Sequence, residues 1–295
     1  MWRQSYRLSG HYTLRGHSRS TEMTCFYIPE LNFYFDAGVW SNYECQHIAI
    51  THCHGDHIQC LNGIIQTQSV GRDHPIQVYC PVACSPLLRR YIDSYQQLNY
   101  MNPRHRSDGT VKIHEFKSGH KQGLTIGGRP FCLETVECDH SVATLGYGLC
   151  EMRKRLRPEY VGRSQCELIS LKNSGQEIEH LIEAPLIMYL GDTTHRVFEN
   201  RDLYRYPVIV VECTFLEESD LKEAESRKHI HWSHLEPVIH AHREITFILI
   251  HFSLRYSDRD IATFFGKPGR LRPNMVIWTD AKIILTSSQK SQKIT

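Results

Sequence analysis

The chain of 295 residues contains no apolar run near the roughly 18 to 20 residues that a bilayer-spanning helix requires. Stretches such as Leu186 to Leu190 and Phe247 to Ile250 are far shorter, so no membrane partner is expected. Charge bias is also lacking. Lys and Arg number 34 against 32 Asp and Glu, a net +2 that excludes global attraction to a polyanion. Any nucleic acid must therefore be held by a local patch, and the candidate is Arg153-Lys154-Arg155-Leu156-Arg157 with Arg163, which also reads as a solvated basic loop. A disulfide framework is missing too: the 11 cysteines are odd in number, irregularly spaced and follow no secretory leader. The expected setting is a reducing, intracellular one, cytoplasmic or nuclear. Cys80 and Cys84 are separated by three residues instead of the two of a zinc knuckle, and buried free thiols are expected. The first twenty residues hold Arg3, Arg7, Arg15 and Arg19 with no acid. That pattern suits an organellar presequence or an opening strand pair, which leaves an organelle open. Low-complexity linkers and internal repeats are absent, so a single domain over residues 1–295 is expected, with a flexible tail at 287–295.

What is present is a succession of short runs rich in Val, Ile, Phe and Tyr: Cys25 to Ile28, Phe33 to Phe35, His47 to Ile50, Gln77 to Cys80, Phe131 to Val136, Leu186 to Leu190, Val208 to Val211 and Thr246 to Ile250. These read as strands. Helices are expected at Pro86 to Gln97, where Leu87, Leu88, Tyr91 and Tyr95 have helical spacing, and at Ser219 to Lys228 behind a serine cap. The class is α/β. The polar segment 153–184, interrupted by Gly162 and Gly175, reads as an excursion from the sheet.

Four of the runs stop at residues of one chemical kind: His47 to Ile50 precedes His52, Leu186 to Leu190 precedes Asp192, Val208 to Val211 precedes Glu212, and Thr246 to Ile250 precedes His251. Loops beyond strand ends are where a rigid sheet lets distant side chains converge. The densest feature is Thr51-His52-Cys53-His54-Gly55-Asp56-His57, a His-x-His-x-Asp-His cluster read as lying on one short loop. Imidazole and carboxylate without thiolate is the composition of a catalytic zinc site, which keeps a position for water. Four donors so close in sequence cannot all surround one ion, but they can serve two. His140, Asp192 and His251 are the candidates to complete the set. Two adjacent ions suit phosphodiester, ester, thioester or amide hydrolysis, so the cluster alone indicates metal-assisted hydrolysis.

The cluster, together with Asp36 in Phe35-Asp36-Ala37-Gly38, a single histidine, a later aspartate and a last histidine in that order, resembles the metallo-β-lactamase superfamily. The resemblance implies a four-layer αββα sandwich with metals in the cleft between two mixed sheets. Within the superfamily, Asp139-His140-Ser141, Leu145-Gly146-Tyr147, Arg157-Pro158-Glu159-Tyr160-Val161-Gly162, Tyr189-Leu190-Gly191-Asp192-Thr193-Thr194, Glu212-Cys213-Thr214-Phe215, His229-Ile230-His231 and His251-Phe252-Ser253-Leu254-Arg255-Tyr256 resemble short-form ribonuclease Z. That family removes the 3′ trailer of precursor tRNA by attack of metal hydroxide on a phosphodiester, leaving a 3′ hydroxyl.

The resemblance implies two Zn2+ per subunit, other divalent ions remaining open, with His52, His54 and His140 on one, Asp56, His57 and His251 on the other, and Asp192 between them. It implies that Asp56 also orients or deprotonates the attacking water. Glu212 and His229 become the proton-donating pair, with His231 as the second candidate. Ser253, Arg255, Arg153 and Arg155 become substrate contacts, precursor tRNA the partner, and a homodimer the assembly. Three features depart from the family. Gln59-Cys60 replaces two glycines, Gly16-His17-Ser18-Arg19 replaces a Pro-x-Lys-x-Arg segment, and no long Gly/Pro-rich arm is recognisable, 153–184 being the shorter substitute. The later histidines His234 and His242 share a helix face with Val238, which is read as packing instead of a further metal site. The alternatives are a superfamily hydrolase acting on a small phosphodiester or thioester, and a non-enzymatic RNA or protein interaction module.

Overall fold

A computed structural model describes residues 2, 4–8, 10–69, 74–280 and 282–284 of the chain. The expected tail at 287–295 lies outside these residues. Among the described residues, the first sheet has seven strands in sequence order: β1 (Ser5–Arg7), β2 (Thr13–Arg19), β3 (Met23–Ile28), β4 (Phe33–Phe35), β5 (His47–Ala49), β6 (Ile76–Pro81) and β7 (Val111–Phe116). Strands β1 to β4 pair antiparallel and β4 to β7 parallel. The second sheet has eight: β8 (Lys121–Ile126), β9 (Arg129–Cys138), β10 (Thr144–Leu156), β11 (Glu179–Tyr189), β12 (Val208–Glu212), β13 (Thr246–Ile250), β14 (Met275–Trp278) and β15 (Ile283–Ile284). Here β8 to β11 pair antiparallel, β11 to β14 parallel, and β15 antiparallel again. The helices are α1 (Gly55–Ile58), α2 (Leu61–Ser69), α3 (Ser85–Asn99), α4 (Gln165–Asn173), α5 (Leu221–Arg227), α6 (Trp232–Ala241) and α7 (Asp258–Gly266).

The period-two geometry of a strand explains how such short apolar runs hold four layers together. In β12, Val208 and Val210 face the inter-sheet core with Phe26, Phe35 and Tyr189, while Ile209 and Val211 face the outer core beneath α6 and α7. In β13, Ile248 and Ile250 point inward and Phe247 and Leu249 outward. On the other side, α2 and α3 bury Leu61, Ile64, Leu88 and Ile92 against Ile48 and Val78 of the first sheet. Each such side chain removed from water contributes roughly 1.5–3 kcal/mol, which is why both faces of the central strands are apolar. The expected αββα sandwich is the fold.

Four details differ from the sequence reading. The metal-binding cluster is not one loop: it crosses from the end of β5 into α1, which carries Asp56 and His57. The basic run at 153–157 is not a loop either, since Arg153, Lys154 and Arg155 continue β10 and pair with Ile182, Leu181 and His180 of β11. Ser219 caps no helix. It sits in a 3-10 turn, Glu218–Asp220, ahead of α5. His242 terminates α6 instead of extending its face. The segment 153–184 is thus a hairpin extension tipped by α4, whose start is closed by a Ser164–Glu167 capping box.

Candidate metal centre and active site

Parallel pairing brings the carboxyl ends of β4 and β5 together in one sheet, and those of β11, β12 and β13 together in the other. The residues that follow them meet at one end of the sandwich. Asp36, just past β4, adopts a left-handed backbone with φ of 59°. There its buried carboxylate accepts from the Thr51 N–H at 2.8 Å, the Thr51 hydroxyl at 2.9 Å, the Tyr189 hydroxyl at 3.1 Å and His57 Nδ1 at 2.9 Å. His251, just past β13, is also left-handed, with φ of 62°. Non-glycine residues rarely hold that conformation, and they do so where the surroundings demand a particular side-chain direction.

Three groups of donors result among the described residues, each with ligand atoms within 4.8 Å of one another, and the third, Asp192, His229 and His251, overlaps the two that follow. His52, His54, His140 and Asp192 form one; Asp56, His57 and His251 form the other. Asp192 faces both. Its Oδ2 lies 3.7 Å from His52 Nε2 and 3.8 Å from His140 Nε2, while its Oδ1 lies 3.5 Å from His57 Nε2 and 3.4 Å from His251 Nε2. Asp56 Oδ2 is 3.6 Å from His57 Nε2 and 3.4 Å from His251 Nε2.

Four of the histidines are fixed from behind. The second ring nitrogen of His52 meets the Thr51 hydroxyl at 3.0 Å, that of His57 meets Asp36, that of His140 meets the Lys228 carbonyl at 3.1 Å, and that of His251 meets the Thr214 hydroxyl at 3.1 Å. Outer partners of this kind select the tautomer and leave the other nitrogen free to bind a cation. The inward atoms fit a metal. His57 Nε2 is buried with no hydrogen-bond partner, and His54 Nδ1 stands 3.0 Å from His52 Nε2 and 3.3 Å from His140 Nε2, a crowd of nitrogens best reconciled by a shared cation. Burial holds the His52, His54 and His140 pKa values below the usual imidazole range, keeping their lone pairs available. At His57 burial is outweighed by Asp192 and Asp36, which lift it to about 10, so this end of the pocket favours positive charge.

Beside the donors, Glu212 Oε1 accepts from His229 Nδ1 at 2.8 Å. Its other oxygen accepts from the Thr214 hydroxyl at 2.5 Å and the Ile230 N–H at 3.1 Å. Burial disfavours the charged ring, but the Glu212 carboxylate outweighs it and raises His229 to about 9. The pairing favours the charged ring, which lies 5.0 Å from that of His140 and 5.5 Å from that of His251. His231 has no comparable freedom. One ring nitrogen meets Ser233 and the other the Glu217 carbonyl at 2.9 Å, so it caps α6.

The expected substrate contacts fare differently. Arg255 commits its guanidinium to Asp220 at 2.7 Å and Glu223 at 2.8 Å, over the Phe215 ring. Ser253 Oγ accepts from Arg255 Nε at 3.3 Å. Arg153 pairs with Glu151, and Arg155 is exposed on the hairpin extension. Thr51, Thr214 and Lys228 support ligands without any motif of their own, the only sequence signal being the place of Thr51 and Thr214 beside strand-end residues.

Gln59 and Cys60, the departures after the cluster, do packing work. Gln59 Nε2 donates to the carbonyls of Glu22 and Gly38, at 2.7 and 3.0 Å, and Cys60 Sγ reaches the Gly38 carbonyl. All 11 cysteines are free, as the irregular spacing implied.

No family model matches the chain. A curated relative, tRNase Z TRZ1 of Arabidopsis thaliana, is 29% identical over 263 residues, covering 85% of this chain and 88% of that protein. Among solved structures, human tRNase Z, short form, superposes over 95% of this chain and 93% of its own with a TM-score of 0.53 at 17% identity. The metallo-β-lactamase fold protein YhfI of Bacillus subtilis does so over 92% and 90%, with a TM-score of 0.52 at 14% identity. With this fold, this donor set and these similarities, the chain is a metal-dependent hydrolase of the metallo-β-lactamase fold, similar in sequence to tRNase Z over most of its length.

Proposed function

We propose that the protein is a zinc-dependent endoribonuclease of the short-form ribonuclease Z type that removes the 3′ trailer of precursor tRNA and leaves a 3′ hydroxyl. The observation that carries this reading is the Glu212–His229 pair, in which a buried carboxylate fixes an imidazole beside the donor cluster and favours its charged form. A 3′ alkoxide is a poor leaving group, so a general acid has much to contribute, typically ~10²- to 10⁴-fold. The similarity to tRNase Z proteins supplies the substrate class.

His52, His54 and His140 would hold one zinc, Asp56, His57 and His251 the other, with Asp192 shared. When bound, the ions supply Lewis acidity, which activates water and neutralises phosphate charge. The chain's own groups do the rest. Asp56 orients the water and accepts its proton. Glu212 holds the His229 ring through Nδ1, so that Nε2 presents the proton to the departing oxygen. The exposed Lys154 and Arg155 on the hairpin extension, with Arg153, offer phosphate contacts away from the centre.

The assembly we infer is a homodimer. Helix α3 presents Leu87, Tyr91, Tyr95 and Leu98 at helical spacing on its open face, followed by Tyr100 and Met101; Leu98 is 73% and Met101 85% exposed. A contiguous exposed apolar face of this kind is what a subunit interface covers.

The deciding experiment is incubation of the zinc-loaded protein with a precursor tRNA bearing a 3′ extension. Cleavage after the last retained nucleotide, with a 3′ hydroxyl on the tRNA, is expected. Absence of any cleavage, alongside rapid turnover of a small phosphodiester, would refute the reading.

A further inference from the structure

Two cavities flank the centre. One, of about 750 Å³, is lined by His140, Val142 and Phe116; the other, of about 430 Å³, is lined by His229, His195, Arg196, Glu225 and His234. Asp139, Arg196 and Lys228 line both, and the ion pair from Lys228 Nζ to Asp139 Oδ1, at 2.8 Å, stands where they meet.

If the proposed reaction holds, on which this inference rests, the direction of the RNA across the site follows from the position of the acid. A general acid must come within about 2.6–3.2 Å of the oxygen it protonates. That oxygen is one bond from the ribose of the last retained nucleotide, so this sugar must sit next to His229. We propose that the 430 Å³ cavity seats the last retained nucleoside, its base against the His195–His234 ring pair, and that the trailer leaves through the larger cavity past His140.

The lining suits a nucleotide in four respects. The rings of His195 and His234 lie 4.2 Å apart at 45°, with His195 exposed, so an aromatic surface is open to a base. Burial and the neighbouring His195 lower the His234 pKa, and a neutral ring stacks without repelling the cations nearby. Glu225 makes no ion pair within 4 Å among the described residues, so its carboxylate is available to a ribose 2′ hydroxyl or an exocyclic amine. Arg196 likewise has no ion pair among them and can meet the preceding phosphate. Asp139, the other acid in the lining, is neutralised by Lys228 and holds the Thr194 hydroxyl at 3.0 Å.

The test compares three substrates: intact precursor RNA, RNA abasic at the last retained nucleotide, and RNA abasic at the first trailer nucleotide. Each is cut by wild type and by a His195→Ala/His234→Ala variant whose zinc content and melting temperature match wild type. Loss of a stacked base costs roughly 10-fold or more. The wild type should lose about that factor on the first abasic RNA, and the variant should lose it on intact RNA with no further loss on that abasic substrate. The trailer-abasic RNA should affect both proteins alike. A loss that persists unchanged on the first abasic RNA, or that vanishes only on the trailer-abasic one, overturns the assignment. If wild type cuts none of the three, the proposed function fails, and the cavity is judged by NMR titration of a nucleoside 3′-monophosphate. Shifts confined to the His195 and His234 ring protons support it, and their absence overturns it.

Discussion

The backbone N–H of Thr21 donates to Asp56 Oδ2 at 3.0 Å, from the tip of the β2–β3 hairpin to a side chain of α1. Thr21 holds a left-handed φ of 62° to do so, and Gln59 returns a bond to the neighbouring Glu22 carbonyl. The tip therefore fixes the carboxylate oxygen that faces His57 and His251. A β-branched residue in that conformation costs about 1–2 kcal/mol. Thr21→Gly relieves the strain and keeps the N–H, so its melting temperature should not fall and its zinc affinity should match wild type. Thr21→Pro can adopt neither the φ nor the bond, and chelator competition should show weakened zinc binding. Equal zinc affinity in both variants would remove the role assigned to this contact.

A second prediction concerns Glu212. Its carboxylate is what keeps the His229 ring charged against burial. If the protonated ring is the acid, activity falls as pH rises through its pKa. Glu212→Gln preserves shape but removes the charge, which lowers that pKa. The alkaline limb of kcat should move to lower pH, and kcat at neutral pH should drop by roughly 10² or more. An unchanged limb would exclude His229 as the acid.

Most strands that could be read from sequence are buried on both faces, where Val, Ile and Phe runs mark them, although the equally buried β14 was not among them. Strand β10 could not be read this way. Gly146 and Gly148 look like breakers, yet Gly148 is there because a side chain would collide with the Tyr206 hydroxyl, 2.1 Å from where its Cβ would stand. The charged continuation through Arg153 looks like a loop because beyond Glu151 it pairs with β11 alone and its side chains are exposed. In the site, the histidines and aspartates were legible because their spacing is unusual. Lys228 was not, since it holds His140 through a backbone carbonyl that any residue could supply. Nor was the commitment of Arg255, whose partners Asp220 and Glu223 lie 35 and 32 residues away in sequence.

Gly38 allows a sharper test of the same corner. A Cβ there would stand 1.7 Å from the Asp56 carbonyl oxygen and 2.7 Å from the Thr24 nitrogen, both backbone atoms that cannot swing aside. Gly38→Ala must push α1 away from β3. The expected outcome is a loss of roughly 3 kcal/mol or more in urea denaturation, together with reduced zinc content. Wild-type values for both would mean that α1 is not held where this packing implies.

The apolar face of α3 predicts its own partner. Leu98→Asp and Leu87→Asp each place a charge on a surface that a homodimer would desolvate. Sedimentation should show wild type at twice the chain mass and the double variant at the single-chain mass, with an unaltered circular dichroism spectrum. A wild type that sediments as a monomer at tens of micromolar would remove the homodimer.

Stability at acid pH should trace to Glu134. Its buried carboxylate contacts Arg205, the Tyr206 hydroxyl and Lys121, the last at 3.2 Å, while Arg205 also pairs with Glu183 at 2.5 Å. Burial pushes the Glu134 pKa up, but Arg205, Tyr206 and Lys121 outweigh it, so the folded-state value lies below the usual carboxylate range. A group with a depressed folded pKa contributes stability that is fully present above its unfolded pKa, about 4.3, and disappears as pH falls through the folded value. Glu134→Gln should therefore cost about 1.5–3 kcal/mol near pH 7. The gap to wild type in denaturant unfolding should stay constant down to about pH 5 and narrow below it. A gap that widens on acidification would mean that this carboxylate is protonated more readily in the folded chain than in the unfolded one, the reverse of what its cationic neighbours require.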